Sequence, residues 1–200
     1  MLECSPDDIV LENETATGPD GRSVTYENIG MRAMYETDQF QIQSTASHVS
    51  HKSPPPFSAH FTEVEVDTET GKVKVLEYIA AVDCGTAINP TLAEGQMEGS
   101  VVNGISYALT EEYLYDPHGK LRNSDFNYYK IYSAADLPKI KTILVPTWEP
   151  TGPYGAKSVS EIGINGPVPA IANAIYDAVG VRLYEAPFTS ERILRALKKL

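Results

Sequence analysis

The sequence predicts an α+β fold in which β-hairpins pack with three main helices. Residues 62–67 alternate between apolar or threonine side chains and acidic ones, which is the period-two pattern of a half-buried strand. Asn89-Pro90 is a typical helix start, because an N-cap residue is followed by proline at the first helical position. Gly180 is a typical C-terminal cap for a helix that precedes it. Strands and helices are therefore expected together in this chain of 200 residues.

The first hairpin is predicted around residues 62–83. The alternating strand is followed by a turn sequence, Thr-Glu-Thr-Gly-Lys, at residues 68–72. A second strand is predicted over residues 73–83, where the chain ends in an apolar run.

Two further β elements are predicted downstream. Residues 111–115 and 120–122 flank the turn sequence Asp-Pro-His-Gly at residues 116–119, which predicts a second hairpin. Residues 142–145 predict a short buried strand.

Three helices follow from capping signals. The first is predicted from Pro90 to about Leu109, and the second over residues 167–179 before Gly180. Thr189 can cap the last helix. The loop at residues 146–166, rich in glycine and proline, is unusually long for a compact domain, and such loops tend to be functional.

The chain is expected to divide near residue 57. Residues 1–57 are polar and finish in Ser-Pro-Pro-Pro at residues 53–56, so we expect an irregular N-terminal arm there. Within this arm, a short strand is predicted at residues 8–11 and a helical turn near residues 26–34. Residues 58–200 form the predicted second domain.

Charge and composition exclude several classes of protein. Lysine and arginine number 16 against 27 aspartate and glutamate, which gives a net charge of −11 and disfavours binding to nucleic acid. No run approaches the roughly 18 apolar residues of a membrane-spanning helix. The first fifteen residues are acidic and carry no lysine or arginine, unlike a signal peptide. We therefore expect no membrane association.

The cysteines and histidines form no recognisable metal or disulfide pattern. Cys4 and Cys84 are the two cysteines, and they are far apart in sequence. The four histidines lack HExxH or similar spacing. The sequence thus predicts no metal bound by protein ligands, no disulfide framework and a cytoplasmic location.

The helix that begins at Pro90 carries glycines at an unusual cost. Gly95, Gly99 and Gly104 together give up about 3 kcal/mol of helix propensity. Gly95 and Gly99 share one face, which suggests that another group approaches the backbone there. Gln96 lies beside that face, and a neutral amide can recognise a polar heterocycle. The alternative is close packing of the helix on another element, with Gln96 merely solvated.

Residues 152–163 place one carboxylate, that of Glu161, between small and apolar residues just before a helix start. Desolvation of such a group disfavours its charged form, which suits a general base, whereas a helix N-terminus would favour the anion. The alternative is an exposed loop glutamate paired with Lys157.

These two segments resemble motifs of the molybdenum hydroxylases, the family of xanthine dehydrogenases and aldehyde oxidases. Residues 83–90, Asp-Cys-Gly-Thr-Ala-Ile-Asn-Pro, and residues 95–99, Gly-Gln-Met-Glu-Gly, resemble the D-x-G-x-x-x-N-P…G-Q-x-x-G block. Residues 155–161, Gly-Ala-Lys-Ser-Val-Ser-Glu, resemble the G-x-K-x-V-G-E block. The resemblance covers roughly residues 50–200 and implies the carboxy-terminal part of the molybdenum-binding large subunit. Residues 58–200 would then be a fragment of the molybdopterin-binding domain.

The resemblance implies an oxidoreductase that hydroxylates an N-heterocycle or an aldehyde with oxygen from water. Glu161 would be the catalytic base, and the molybdenum–molybdopterin cofactor would be held by Gln96, Gly95, Gly99, Lys157 and Ser158, with no metal bound directly by the protein. The cofactor site would be shared with an upstream molybdenum-binding region or chain. Iron–sulfur clusters and FAD are expected on other subunits, and homo-oligomerisation is a further expectation.

Two departures accompany the resemblance. Ser160 stands where the family has glycine, so the aim of Glu161 is expected to change if that position requires a positive φ. A chain of 200 residues also has no room for the upstream loops that complete the cofactor site and select the substrate.

Two other functions stay open on the sequence. One is a truncated, non-catalytic C-terminal domain that folds alone and binds no cofactor. The other is an acidic interaction domain with a tyrosine-rich surface, although tyrosines at hairpin spacing are more often half-buried in a sheet. The tyrosines concerned are Tyr113, Tyr115, Tyr128, Tyr129 and Tyr132.

Overall fold

The computed structural model describes residues 1–37, 39–47, 49, 51–159 and 161–198. The chain divides into two compact units, Met1–Val49 and Ser50–Leu200. No helix within these described residues is long and apolar enough to cross a membrane.

The first unit contains regular elements between residues 6 and 35, where the sequence predicted an irregular arm with a short strand and a helical turn. Three short antiparallel strands, β1 (Val10–Glu12), β2 (Thr15–Thr17) and β3 (Ser23–Thr25), form a sheet in that order. Helix α1 (Tyr26–Tyr35) follows directly where a helical turn was predicted, and the Thr25 hydroxyl accepts from the Asn28 N–H at 3.2 Å. The short strand predicted at residues 8–11 overlaps β1, whereas β2 and β3 were missed because short strands joined by tight turns carry a weak period-two signal.

The second unit is built on a three-stranded sheet in the order β4-β5-β6. Strands β4 (Phe57–Val66) and β5 (Val73–Asp83) form the predicted hairpin, with a register shift at Glu63/Val64. Strand β6 (Lys139–Leu144) runs parallel to β5. Its side chains alternate between exposed and half-buried, so the prediction of a buried strand at residues 142–145 is wrong in environment although right in type.

The predicted hairpin over residues 111–122 reduces to a turn with a single bridge. Tyr115 and Leu121 form that isolated bridge, and the Arg122 N–H donates to the Leu114 carbonyl at 2.7 Å. No ladder continues from it in the part of the chain that the structure describes.

The three main helices begin where the capping signals predicted. Helix α2 (Pro90–Leu109) starts after Asn89, whose side chain accepts from the Leu92 N–H at 3.1 Å. A short helix, α3 (Ile162–Asn165), lies within the predicted loop and precedes α4 (Pro167–Val179). Helix α4 ends at Gly180, where φ is 71°. Thr189 caps α5 (Ser190–Ala196).

The helices pack on one face of the sheet. Tyr78, Ala80 and Val82 alternate along β5 with half-buried residues and are fully buried. They form one apolar core with Met97, Val101 and Ile105 of α2 and with residues of α4. The α+β fold class with several helices is confirmed, and this layer holds the start of α2 at the carboxyl end of β5.

Candidate functional site

The two motif segments lie side by side through their backbones. The Lys157 N–H donates to the Cys84 carbonyl at 2.7 Å, and the Thr86 N–H donates to the Gly155 carbonyl at 2.9 Å. Gly85 has φ of +68°, and a Cβ atom there would lie 2.2 Å from the Gly155 carbonyl oxygen. Glycine is therefore required at position 85 both for its conformation and for the close approach of the two segments.

Asp83, the last residue of β5, joins the two motif segments through an ion pair and hydrogen bonds of its side chain. Its Oδ2 atom lies 2.6 Å from the Lys157 Nζ atom, with only 7% of the lysine and 19% of the aspartate side chain exposed. Its Oδ1 atom accepts from the Thr147 hydroxyl at 2.5 Å and from the Gly85 N–H at 3.0 Å. The hydrogen bonds from Lys157 and Thr147 hold the pKa of Asp83 down at about 2.

A surface cavity of about 540 Å³ opens between these segments and the start of α2. Three of the predicted site residues, Gln96, Lys157 and Ser158, line it together. The other residues that line the cavity come from both motif segments and from the first turns of α2: Cys84, Thr86, Ala87, Ile88, Asn89, Leu92, Ala93, Ala156 and Val159. Burial raises the pKa of the Cys84 thiol, so this lining cysteine is held in its neutral form.

Lys157 lines the cavity, and its ammonium group interacts with two other side chains of the chain. Its ammonium group forms an ion pair with the Asp83 carboxylate and also lies 5.3 Å from the centre of the Phe57 ring. The sequence left open an ion pair between Glu161 and Lys157. In the structure, Lys157 forms its ion pair with Asp83. The lysine thus joins the two walls of the cavity.

The glycines of α2 fall into two kinds. A Cβ atom at Gly95 or Gly99 would have no described atom of this chain within 4 Å, apart from near neighbours. At Gly104 it would lie 2.5 Å from the Pro167 side chain. Close packing within the chain therefore explains Gly104 alone, while Gly95 and Gly99 leave a bare, exposed helix face next to Gln96.

Glu161 lies at the start of α3 and is not among the residues that line the cavity. Helix α3 packs closely on α2, because a Cβ atom at Gly163 would lie 2.7 Å from the Ser100 Cβ atom, and Ser100 is one turn beyond Gln96. Glu161 itself is exposed, so the described residues do not form the desolvating pocket that the sequence predicted. Ser160, with its expected effect on the aim of Glu161, lies outside the described residues.

Two functional features were missed in the sequence. One is the role of Asp83 and Thr147, which lie 64 positions apart and give no local signal together. The other is a hydrogen-bonded group on β4, Ser58 and His60, beside α3. The period-two pattern at Thr62, extended back by two and four residues, would have placed these side chains on the same buried face.

The tyrosine-rich segment differs from its predicted environment. Tyr113, Tyr115 and Tyr128 are mostly exposed rather than half-buried in a sheet. The Tyr113 and Tyr129 rings lie 5.2 Å apart, and the Tyr129 hydroxyl donates to Glu111 at 2.7 Å, which raises the pKa of Tyr129 to about 12. These rings form an ordered aromatic surface outside the cavity.

No group of three or more histidine, cysteine, aspartate or glutamate side chains suited to a metal ion occurs within the described ranges.

A family profile described as "Molybdopterin cofactor-binding domain" matches residues 1–138. The chain belongs to this family. The matched region includes the first unit and the second unit as far as residue 138, with the first motif segment and α2, whereas Lys157, Ser158 and Glu161 lie beyond it. This molybdopterin cofactor-binding domain chain is similar to large subunits of several molybdenum enzymes, as the sequence motifs indicated.

Two curated relatives show the range of those enzymes. The chain is 39% identical over 178 residues to the probable hypoxanthine oxidase XdhD of Escherichia coli K12, with 88% of this chain and 19% of that protein covered. It is 34% identical over 209 residues to the nicotine 6-hydroxylase large subunit of Paenarthrobacter nicotinovorans, with 99% of this chain and 26% of that protein covered. The chain therefore spans about a fifth to a quarter of the length of the curated relatives it matches.

A solved structure supports the same family. Quinoline 2-oxidoreductase from Pseudomonas putida 86 superposes with a TM-score of 0.84 at 28% identity, covering 99% of this chain and 27% of that one. The chain thus corresponds to a part of a molybdenum hydroxylase large subunit.

Proposed function

We propose that this chain supplies part of the molybdopterin site and the catalytic base of a molybdenum hydroxylase that oxidises an N-heterocycle or an aldehyde. The observation that carries the proposal is the shared cavity, in which the Gln96 amide, Ser158 and the paired motif backbones meet. Similarity to a hypoxanthine oxidase and a nicotine 6-hydroxylase subunit supports the class of substrate.

The residues present fit one side of a molybdopterin. A neutral amide at Gln96 can donate to and accept from a polar heterocycle. The bare face at Gly95 and Gly99 leaves space for a planar group to approach the helix backbone. The positive charge of Lys157 is offset by Asp83, so the wall is close to neutral. When bound, the cofactor would supply the redox chemistry of the hydroxylation.

Glu161 is proposed as the general base. Its backbone is fixed, since the Glu161 carbonyl accepts from the Ile164 N–H at 3.1 Å and α3 is held against α2. Its side chain is exposed and would face a substrate that is enclosed by other parts of the enzyme. Desolvation by those parts would favour proton uptake by the carboxylate.

The enclosing part would come from a polypeptide that completes the large subunit. The outer face of the second-unit sheet carries an open apolar patch, with Phe57 and Phe61 each 62% exposed, beside the exposed Lys139–Glu77 ion pair. Phe61 pairs with Ile79 of β5. On the other side of β5, Ala81 pairs with Ile143 of β6. An apolar sheet face of this kind requires a covering layer, and the length of the relatives indicates where such a layer would come from. Iron–sulfur and FAD subunits are proposed as further partners, and the cytoplasm as the location.

A direct test uses the complex formed by co-expression with the upstream molybdenum-binding region. Glu161→Gln should abolish hydroxylation while molybdenum and pterin contents stay unchanged. Glu65→Gln, on the far part of β4, is the matched control and should keep full activity. Retained activity in Glu161→Gln would overturn the base assignment.

A non-catalytic domain is the second candidate, and one observation favours it. The second unit has its own core, in which Tyr78, Met97 and Ile105 are fully buried, so it has the means to fold without cofactor. Absence of molybdenum and pterin from every co-expressed complex would favour this function over the first.

A further inference from the structure

A chain of hydrogen bonds links the buried core to the backbone beside Glu161. The His60 Nδ1 atom lies 2.9 Å from the Tyr78 hydroxyl, and the His60 Nε2 atom lies 3.0 Å from the Ser58 Oγ atom. The Ser58 hydroxyl donates to the Ile162 carbonyl at 3.4 Å. Ile162 is the residue directly after Glu161, so the chain ends at the segment that carries the proposed base.

The direction of these bonds follows from the last acceptor. A carbonyl oxygen can only accept, so the Ser58 hydroxyl proton points to Ile162 and the Ser58 oxygen accepts from His60. The His60 Nε2 atom then carries the proton, and its Nδ1 atom accepts from Tyr78. His60 and Ser58 each donate once and accept once, and the buried Tyr78 hydroxyl has an acceptor for its proton.

The protonation states agree with this order. Burial lowers the pKa of His60, and the nearby Ile162 backbone partly offsets that effect. Burial raises the pKa of Tyr78. At neutral pH, a neutral imidazole therefore lies between two neutral hydroxyl groups.

The imidazole also fixes the other end of the segment. A Cβ atom at Gly166 would lie 2.2 Å from the His60 ring, so the ring fills the space beside the junction of α3 and α4. His60 thus contacts the segment that follows Glu161 at two places, the Ile162 carbonyl through Ser58 and Gly166 through its ring face.

We propose that His60, acting through Ser58, is a positioning residue that sets the orientation of the α3 segment and with it the aim of Glu161. This role rests on the proposed function of Glu161 as the base. His60 itself contacts neither cofactor nor substrate in this role. Its effect is geometric, because a misplaced base lowers the rate of the catalysed step even where substrate binding is unchanged.

The test begins with the full 200-residue chain and needs no cofactor. Ser58→Ala removes only the link to Ile162, whereas His60→Phe removes both links at similar ring size. Thr62→Val is the matched control, because Thr62 lies on the same strand as Ser58 and its hydroxyl donates to the Glu77 carbonyl of β5 rather than to α3. Amide hydrogen exchange in α3 should accelerate about tenfold or more in the first two variants relative to the control.

Two further measurements separate positioning from general stability. Nitrogen NMR should show His60 neutral and protonated at Nε2 at pH 7. In the assembled enzyme, Ser58→Ala should lower kcat about tenfold with KM within about twofold, and Thr62→Val should leave both unchanged.

Unaltered exchange in α3 of Ser58→Ala, or a proton on Nδ1 of His60, would overturn the proposal, even if His60→Phe failed to fold. Retained activity in Glu161→Gln would instead overturn the proposed function and leave the exchange result standing. The two failures are therefore distinguishable.

Discussion

The Lys157 ammonium group lies 2.6 Å from the Asp83 carboxylate, and this ion pair joins two segments 74 positions apart in sequence. One segment leads into α2 and Gln96, and the other leads into α3 and Glu161. The pair therefore fixes the distance between the two walls of the cavity.

The pair should make stability depend on pH in the acid range. The folded-state pKa of Asp83 is held at about 2, below its ordinary value of 3.8, so its contribution is complete above about pH 4 and is lost as pH falls towards 2. Urea unfolding at intervals from pH 7 to pH 2 measures this loss.

Asp83→Asn should lower the free energy of unfolding by about 2–3 kcal/mol at pH 7, because it leaves the Lys157 charge buried without its partner. The difference from the wild type should shrink as pH falls towards 2. Asp177→Asn, on the exposed side of α4, is the control. A pH-independent difference would contradict the assignment of the effect to Asp83.

Alanine substitutions should divide the glycines of α2 into two groups. Gly95→Ala should raise the free energy of unfolding of the chain by about 0.8 kcal/mol, since it gains helix propensity without a clash. Gly104→Ala should lower it by about 2 kcal/mol, because the new methyl group meets Pro167. Chemical denaturation of the two variants in parallel makes the comparison, and equal effects would contradict the observed packing.

In the assembled enzyme, by contrast, the Gly95→Ala substitution should be unfavourable, because it should weaken cofactor binding. If Gly95 leaves space for the cofactor, Gly95→Ala should reduce the pterin content of the complex several-fold while stabilising the isolated chain. Cofactor content, measured by metal analysis and pterin fluorescence, decides this, and an unchanged content would assign the bare face to a protein partner instead.

Gln96→Ala should reduce the molybdenum and pterin content of the complex without changing the stability of the chain by more than about 0.5 kcal/mol, because the Gln96 side chain is exposed. Glu94→Ala, at another exposed position of the same helix, is the matched control and should keep both properties. A full cofactor content in Gln96→Ala would remove Gln96 from the site.

Local sequence signals located most of the second unit. The hairpin of β4 and β5, helix α2 from Asn89 and helix α4 up to Gly180 were predicted because strand alternation and capping act over a few neighbouring residues. The signals failed where strands were short and polar, as in β2 and β3, and where a turn at residues 116–119 carried no ladder beyond one bridge. Pairing there depends on partners that the local pattern does not specify.

The candidate site divides in the same way. The motif residues were singled out in the sequence because their spacing matched a known family: Gln96, Lys157, Ser158 and Glu161. The sequence did not predict the geometry of their side chains. Only the tertiary structure decided that Lys157 pairs with Asp83, that Gly104 rather than Gly95 packs against α4, and that His60 contacts the α3 segment. Residue type and short-range spacing determine helices, strands and candidate chemistry, whereas contacts between distant segments depend on how the core brings those elements together.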